Sequence, residues 1–201
     1  GTQSKFIVKK YNLHQLSTGE LLRNKIINKT NLGSEISSIM NKGNLVSDII
    51  VSDLIEKFIS NEKYKDRLIF DGYPRNKSQA ENLNILLKKY DQKIDLVLKL
   101  SVSINIIKKR IVGRSVCSIC GKIYNEFFNP APSNAECCSP RFLQKRSDDT
   151  LNVAISRYET YEKNIKPVID FYKDTNLLKV VNGETSISQI TKEISGLIEG
   201  I

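Results

Sequence analysis

No stretch of this 201-residue chain approaches the roughly 18 consecutive apolar residues of a membrane-spanning helix, and no signal peptide opens it. A soluble, cytoplasmic protein is therefore expected, with a mitochondrial location as the alternative because no initiator Met stands before Gly1. There is no internal repeat and no low-complexity linker, which leaves one domain with at most a sizeable insertion. Histidine is nearly absent: the lone His14 reads as structural. The formal charge is +9, yet 23 of the 31 basic residues are lysines scattered singly or in pairs. Ile, Lys and Asn together make up 67 of the 201 residues, which suggests coding bias more than a basic surface selected for nucleic acid or membrane. The eight arginines are the more informative basic residues.

The chain is organised around Arg67–Arg75, RLIFDGYPR. A short apolar run ends in Asp71 and a Gly-Tyr-Pro-Arg turn, so a buried strand delivers a carboxylate and a guanidinium to its carboxyl end, where open parallel sheets bind ligands. That pairing suits a magnesium-nucleotide site.

Elsewhere, apolar stretches alternate with helical periodicity. Thr2–Tyr11 reads as a helix with Phe6 and Ile7 on one face; Gly1 and Thr2 at its start are what remains of a glycine-rich phosphate loop cut off in front of its helix. A helix capped by Ser17 or Thr18 carries Arg23, and a second spans Gly33 to Met40. A longer one from Ser47–Asp48 places Ile50, Val51, Leu54, Ile55, Phe58 and Ile59 at helical spacing. After Arg75, Asn76 caps a helix bearing Ala80, Leu83, Leu86, Leu87 and Tyr90. Ile94–Leu100 is the next strand and Ser103 begins another helix. Leu177–Val181 is the last strand, and Ile187, Ile190, Ile194, Leu197 and Ile198 make the closing helix. This alternation predicts an α/β fold: three layers, with a parallel sheet covered by helices on both faces.

Gly113–Thr150 breaks the rhythm and holds all four cysteines. Cys117 and Cys120 form a C-x2-C knuckle, and Cys137–Cys138 follows after sixteen intervening residues, a spacing that suits structural zinc. The fourth ligand is Cys138, Glu136 or a later residue such as Asp148.

Taken in order, the motifs resemble adenylate kinases of the long-lid type over the whole chain: GTQ at Gly1–Gln3, STGELLR at Ser17–Arg23, LVSDIIV at Leu45–Val51 and FDGYPRN with QA at Phe70–Ala80. They continue with RIVGR at Arg110–Arg114, the C-x2-CG-x2-Y lid with NPAP at Asn129–Pro132, KRSDD at Lys145–Asp149, and Arg157 followed by Tyr161. The resemblance implies a P-loop NTPase-like core at 1–112 and 150–201, an AMP-binding helical subdomain at about 17–46, and a lid at 113–149. It implies reversible transfer of the terminal phosphoryl group of ATP-Mg to AMP, with GTP as the alternative donor. Thr18, Arg23, Arg75 and Gln79 match the AMP site. Gly1, Thr2, Arg110, Arg114, Tyr124 and Gly183 match the ATP site. Arg75, Arg110, Arg114, Arg146 and Arg157, with Asp71, match the catalytic set, Asp71 holding Mg2+ through water and Asp148 and Asp149 orienting the lid arginines. Cys117, Cys120, Cys137 and Cys138 match a structural zinc site. The implied partners are small nucleotides, with no nucleic acid and no membrane, and the protein is expected to be a monomer.

The chain departs from the pattern at Ser47 for proline, Glu20 for aspartate and Lys145 for glutamine, and its second cysteine pair is off register. The first strand and the glycine loop with its lysine are absent. These 201 residues alone are therefore expected to be poorly stable and without phosphotransfer. A non-catalytic nucleotide-binding relative and a zinc-ribbon nucleic-acid-binding protein are the rival readings.

Overall fold

The computed structural model describes residues 1–27, 31–133 and 137–201. It is a mixed α/β protein in which the chain alternates helices α1 (Thr2–Tyr11), α2 (Thr18–Ile27), α3 (Asn31–Asn41), α4 (Asp48–Ile59) and α5 (Lys77–Lys89) with strands β1 (His14–Ser17) and β2 (Leu68–Asp71). Strand β3 (Val97–Ser101) leads to α6 (Ile104–Val112). Strands β4 (Arg114–Cys117), β5 (Ile123–Asn125) and β6 (Leu143–Gln144) follow, and α7 (Leu151–Lys173), β7 (Leu178–Asn182) and α8 (Ile187–Glu199) complete the chain. No helix among the described residues is long and apolar enough to cross a membrane.

The core strands pair in parallel, as expected. β1 lies on β2 with Ser17 opposite Asp71, and β3 lies on β7 with Leu98 opposite Lys179. Successive side chains of a strand point to opposite faces, and β2 shows both faces covered. Leu68 and Phe70 pack into a cluster with Leu16, Ile55, Ile59 and Leu83, under α2 to α5. Ile69 packs on the other side with Ile7, Val181, Ile190 and Ile194, under α1 and α8. A third cluster, Ala80 with Val168 and Tyr172, joins α5 to α7.

The core strands form two pairs, not one ladder. Between β2 and β3 runs a cleft of about 730 Å³ lined by Ile69–Asp71 on one side and Val97–Ser101 on the other. Each of these strands is thus paired on one side only among the described residues.

Two local readings need correction. Phe6 and Ile7 do not share a face: Ile7 is buried whereas Phe6 is 49% exposed, because neighbouring residues lie about 100° apart around a helix. Strand β3 begins at Val97, three residues later than read, because Asp95 interrupts the apolar run and Gln92 is drawn back to cap the end of α4 through the Ile59 carbonyl (2.8 Å). The insertion folds as a three-stranded antiparallel sheet in the order β5-β4-β6.

Candidate functional site

The register of β1 on β2 brings their carboxyl ends together, so the first turn of α2 and the turn after Asp71 become adjacent walls. Thr18, buried at the start of α2, donates its hydroxyl to the Gly72 carbonyl (3.2 Å) and ties the two walls. Gly72 has φ +72°, the left-handed region open to glycine, which lets the chain reverse and aim Arg75 back over the turn, with Nε on the Gly72 carbonyl at 2.7 Å.

These walls enclose a cavity of about 300 Å³ lined by Thr18, Arg23, Arg75 and Gln79 from the core side and by Arg114, Arg146 and Arg157 from the insertion and α7. Five guanidiniums thus meet in one small space. Burial lowers the pKa of Arg23, with Arg114 and Arg157 adding repulsion. Burial, then Arg114 and Arg23, does the same at Arg146; at Arg75 the causes are desolvation and Arg157. Arginine stays protonated regardless, so these directions report like charges crowded in a partly desolvated space. Two have partners. Asp149 receives Arg114 through both Nε (2.8 Å) and Nη2, and Asp148 receives Arg157, with Arg23 at 3.8 Å. Burial alone would lower the Arg114 pKa, but its bond to Asp149 raises it overall. No carboxylate lies within ion-pair distance of Arg75 or Arg146 among the described residues. The site is built for a polyanion.

Asp71 also faces the cavity. Its Oδ2 accepts from Ser4 Oγ (2.9 Å) and Gln15 Nε2 (2.6 Å), and the backbone nitrogen of Gly1 lies 2.6 Å from it. An ionised hard oxygen ligand whose Oδ1 has no donor among the described residues fits a hydrated Mg2+. Thr2, at the first turn of α1, is exposed.

Arg110 and Gly183 come together away from this cavity. Arg110 Nη2 donates to the Gly183 carbonyl (2.6 Å), and its guanidinium lies 5.5 Å from the centre of the Phe128 ring. Tyr124 engages the Cys138 thiol, which with burial pushes its pKa up to about 12. The two arginines outside the expected set serve elsewhere: Arg67 caps α1 through the Asn12 carbonyl and Arg141 packs on Phe142.

In the insertion, the four cysteine sulfurs lie within 4.8 Å of one another. The separations are 3.8 Å for Cys117–Cys137, 3.3 Å for Cys120–Cys138 and 3.5 Å for Cys137–Cys138. A zinc tetrahedron with bonds of about 2.3 Å needs sulfurs about 3.8 Å apart, so the residues fit the ion. The Cys120 and Ile119 backbone amides hold the Cys117 thiol down to about 6, whereas the neighbouring Cys120 and Cys138 thiols push Cys137 up to about 12, so one thiolate forms readily and the others need a cation among them. Cys138 takes φ +76°, which turns its thiol toward the others although it directly follows Cys137. Asp148 belongs to Arg157 instead of this cluster. Glu136 lies outside the described residues.

The sequence reading missed Ser4, Gln15, Phe128 and Asp48. Asp48 accepts from Gln79 Nε2 at 2.7 Å and from Asn76 Nδ2 at 3.1 and 3.2 Å. Its only signal was its place in the first turn of α4, where a carboxylate already suits the helix dipole.

A family model described as adenylate kinase matches residues 1–177. The adenylate kinase of Pelagibacter ubique (strain HTCC1062) is 45% identical over 199 residues, covering 99% of this chain and 93% of that protein. That of Fusobacterium nucleatum is 40% identical, covering 96% and 90%, and that of Thermodesulfovibrio yellowstonii is 37% identical, covering 99% and 93%.

Proposed function

Because this chain belongs to the adenylate kinase family, and is thereby a nucleoside monophosphate kinase, we propose that it moves the terminal phosphoryl group of ATP-Mg to AMP, giving two ADP. The observation that carries this reading is the meeting of Arg23, Arg75, Arg114, Arg146 and Arg157 in one cavity with Thr18 and Gln79. Arg23 and Arg75 grip the AMP phosphate, and Gln79 faces the base. A phosphate oxygen of AMP attacks the terminal phosphorus of the donor in line, and the lid arginines neutralise charge on the group in flight. Phosphoryl transfer asks little more of a protein than positioning and charge. No side chain forms a covalent bond to the phosphoryl group.

Asp148 and Asp149 hold Arg157 and Arg114 in place for the phosphates to compete for. Asp71 is the residue that would hold Mg2+, through water; the ion, when bound, neutralises charge on the donor phosphates. Arg110, Gly183 and Phe128 form the place for the donor base. Closure of the lid at 113–149 over the acceptor subdomain at 17–46 excludes water, so the phosphoryl group goes to AMP. Cys117, Cys120, Cys137 and Cys138 hold one structural zinc that takes no part in the chemical step. The protein acts as a monomer in the cytoplasm.

None of the described residues lining the cavity is a lysine, and a polypeptide of these 201 residues is expected to bind AMP without turning it over. The same segment preceded by a strand and a glycine-rich loop ending in lysine is expected to be active, the added strand filling the cleft of about 730 Å³ between β2 and β3. Robust AMP phosphorylation by the shorter form would overturn this. A panel of ATP and GTP donors against AMP, run on the active form, tests the donor: ATP is expected to give the higher kcat/KM, and GTP preference would replace it by a GTP:AMP phosphotransferase.

A further inference from the structure

Resting on the reading of AMP as acceptor, we infer that Asp48 is a positioning residue that selects the acceptor base by locking the orientation of the Gln79 amide. Gln79 is 4% exposed and lines the cavity. Its Oε1 accepts from the Arg75 backbone N–H (2.8 Å), and its Nε2 donates to Asp48 Oδ1 (2.7 Å). This orientation is chemically forced: a backbone N–H only donates and a carboxylate only accepts. Turning the amide over would set Oε1 against the Asp48 carboxylate and the NH2 group against the Arg75 N–H. Two hydrogen bonds would become two repulsions.

The lock has a consequence at the base. One lone pair of Oε1 and one N–H of Nε2 are already used, which leaves one acceptor and one donor in fixed order. Adenine offers a matching edge, an amino group that donates beside N1 that accepts. The hypoxanthine of IMP, like guanine, offers a carbonyl and N1–H at those places, and only the turned-over amide could meet it. Asp48 therefore discriminates without touching the base, standing behind Gln79 and steadied by the Asn76 amide at 3.1 and 3.2 Å. Asn76 in turn caps α5 by accepting from the Gln79 backbone N–H (2.8 Å), so the three side chains form one closed set.

The alternative role for Asp48 is structural, as a favourable charge in the first turn of α4. A structural role would weaken all ligands together; a lock moves their ratio. The test is calorimetric titration of AMP and of IMP into the unsubstituted protein, Asp48→Ala and Asp48→Asn. The unsubstituted protein is expected to favour AMP, and Asp48→Ala to lower the AMP:IMP affinity ratio by roughly ten- to a hundredfold, the scale of one bidentate base contact. Asp48→Asn keeps an oxygen for Gln79 Nε2 and is expected to retain the ratio within about threefold. Should Asp48→Ala fail to fold, Asp48→Ser, too short to reach Gln79 but suited to a first helical turn, repeats the measurement. An unchanged ratio in the Ala or Ser variant, with AMP still bound by the unsubstituted protein, overturns the inference alone. Failure of the unsubstituted protein to bind AMP overturns the acceptor reading with it.

Discussion

Replacing Arg75 by Ala separates a cation that serves a ligand from one that serves the fold. Arg75 has no carboxylate within ion-pair distance among the described residues, it is repelled by Arg157, and its Nε bond to the Gly72 carbonyl is local. Removing it leaves no buried anion unpaired and no cavity in the apolar clusters. Stability is therefore expected to hold, with Tm shifted by less than about 3 °C in either direction, since sites built for a ligand are not tuned for the empty protein. The phosphate of AMP loses a charge-assisted contact of about 1.5–3 kcal/mol, so its Kd is expected to rise roughly ten- to a hundredfold. Adenosine lacks the phosphate and is expected to bind both proteins alike. Calorimetry with AMP and adenosine, beside a thermal melt, reads all three. Unchanged AMP affinity would refute the assignment of Arg75 to the phosphate, and equal weakening of adenosine would mean that the substitution had merely deformed the cavity.

Elemental analysis of protein prepared without added metal is expected to show about one zinc per chain, and chelation to lower Tm while AMP affinity stays the same; well under one zinc would count against the site. Asp148 is held below its ordinary pKa: burial pushes it up, and the Arg157 hydrogen bond and the charges of Arg157 and Arg23 more than reverse this. A depressed folded pKa means that the unfolded chain takes up the proton first as pH falls. The stabilisation is present above the ordinary carboxylate range and is lost below about pH 4. Asp148→Asn is expected to lower Tm at neutral pH and to flatten its fall under acid, and an unaltered acid slope would show that the Arg157 pair adds nothing. Leu83 is fully buried where α5 packs on β2 and α4; Leu83→Ala should cost about 2–5 kcal/mol, read by denaturant titration, and a loss under 1 kcal/mol would mean that this core is loosely packed.

Much of this was legible in the sequence because it is local. The β2 strand and its turn lie within nine residues, Arg67–Arg75, and α4 and α5 declare themselves by apolar spacing. The convergence of Arg23, Arg75, Arg114, Arg146 and Arg157 came from matching motifs; no periodicity links residues 134 positions apart. Helix α7 escaped because Pro167 sits inside it and its apolar residues are sparse, so it is held by packing of Ala154, Val168 and Tyr172 more than by pattern. Gln15 and Ser4 escaped because a polar residue on a strand or helix carries no mark of the carboxylate it will meet across the fold. For Asp48 the helix-terminus explanation was sufficient, and only the bond to Gln79 shows that it has a second task.

The acceptor is the centre of this reading, and the panel that tests it is AMP, CMP and UMP, each with ATP-Mg, on the form carrying a glycine-rich loop. AMP is expected to be phosphorylated with a kcat/KM at least about a hundredfold above the pyrimidine nucleotides, because a site that fixes a donor and an acceptor against one base edge leaves them unpaired with another. Preference for CMP or UMP, or no discrimination among the three, would contradict it.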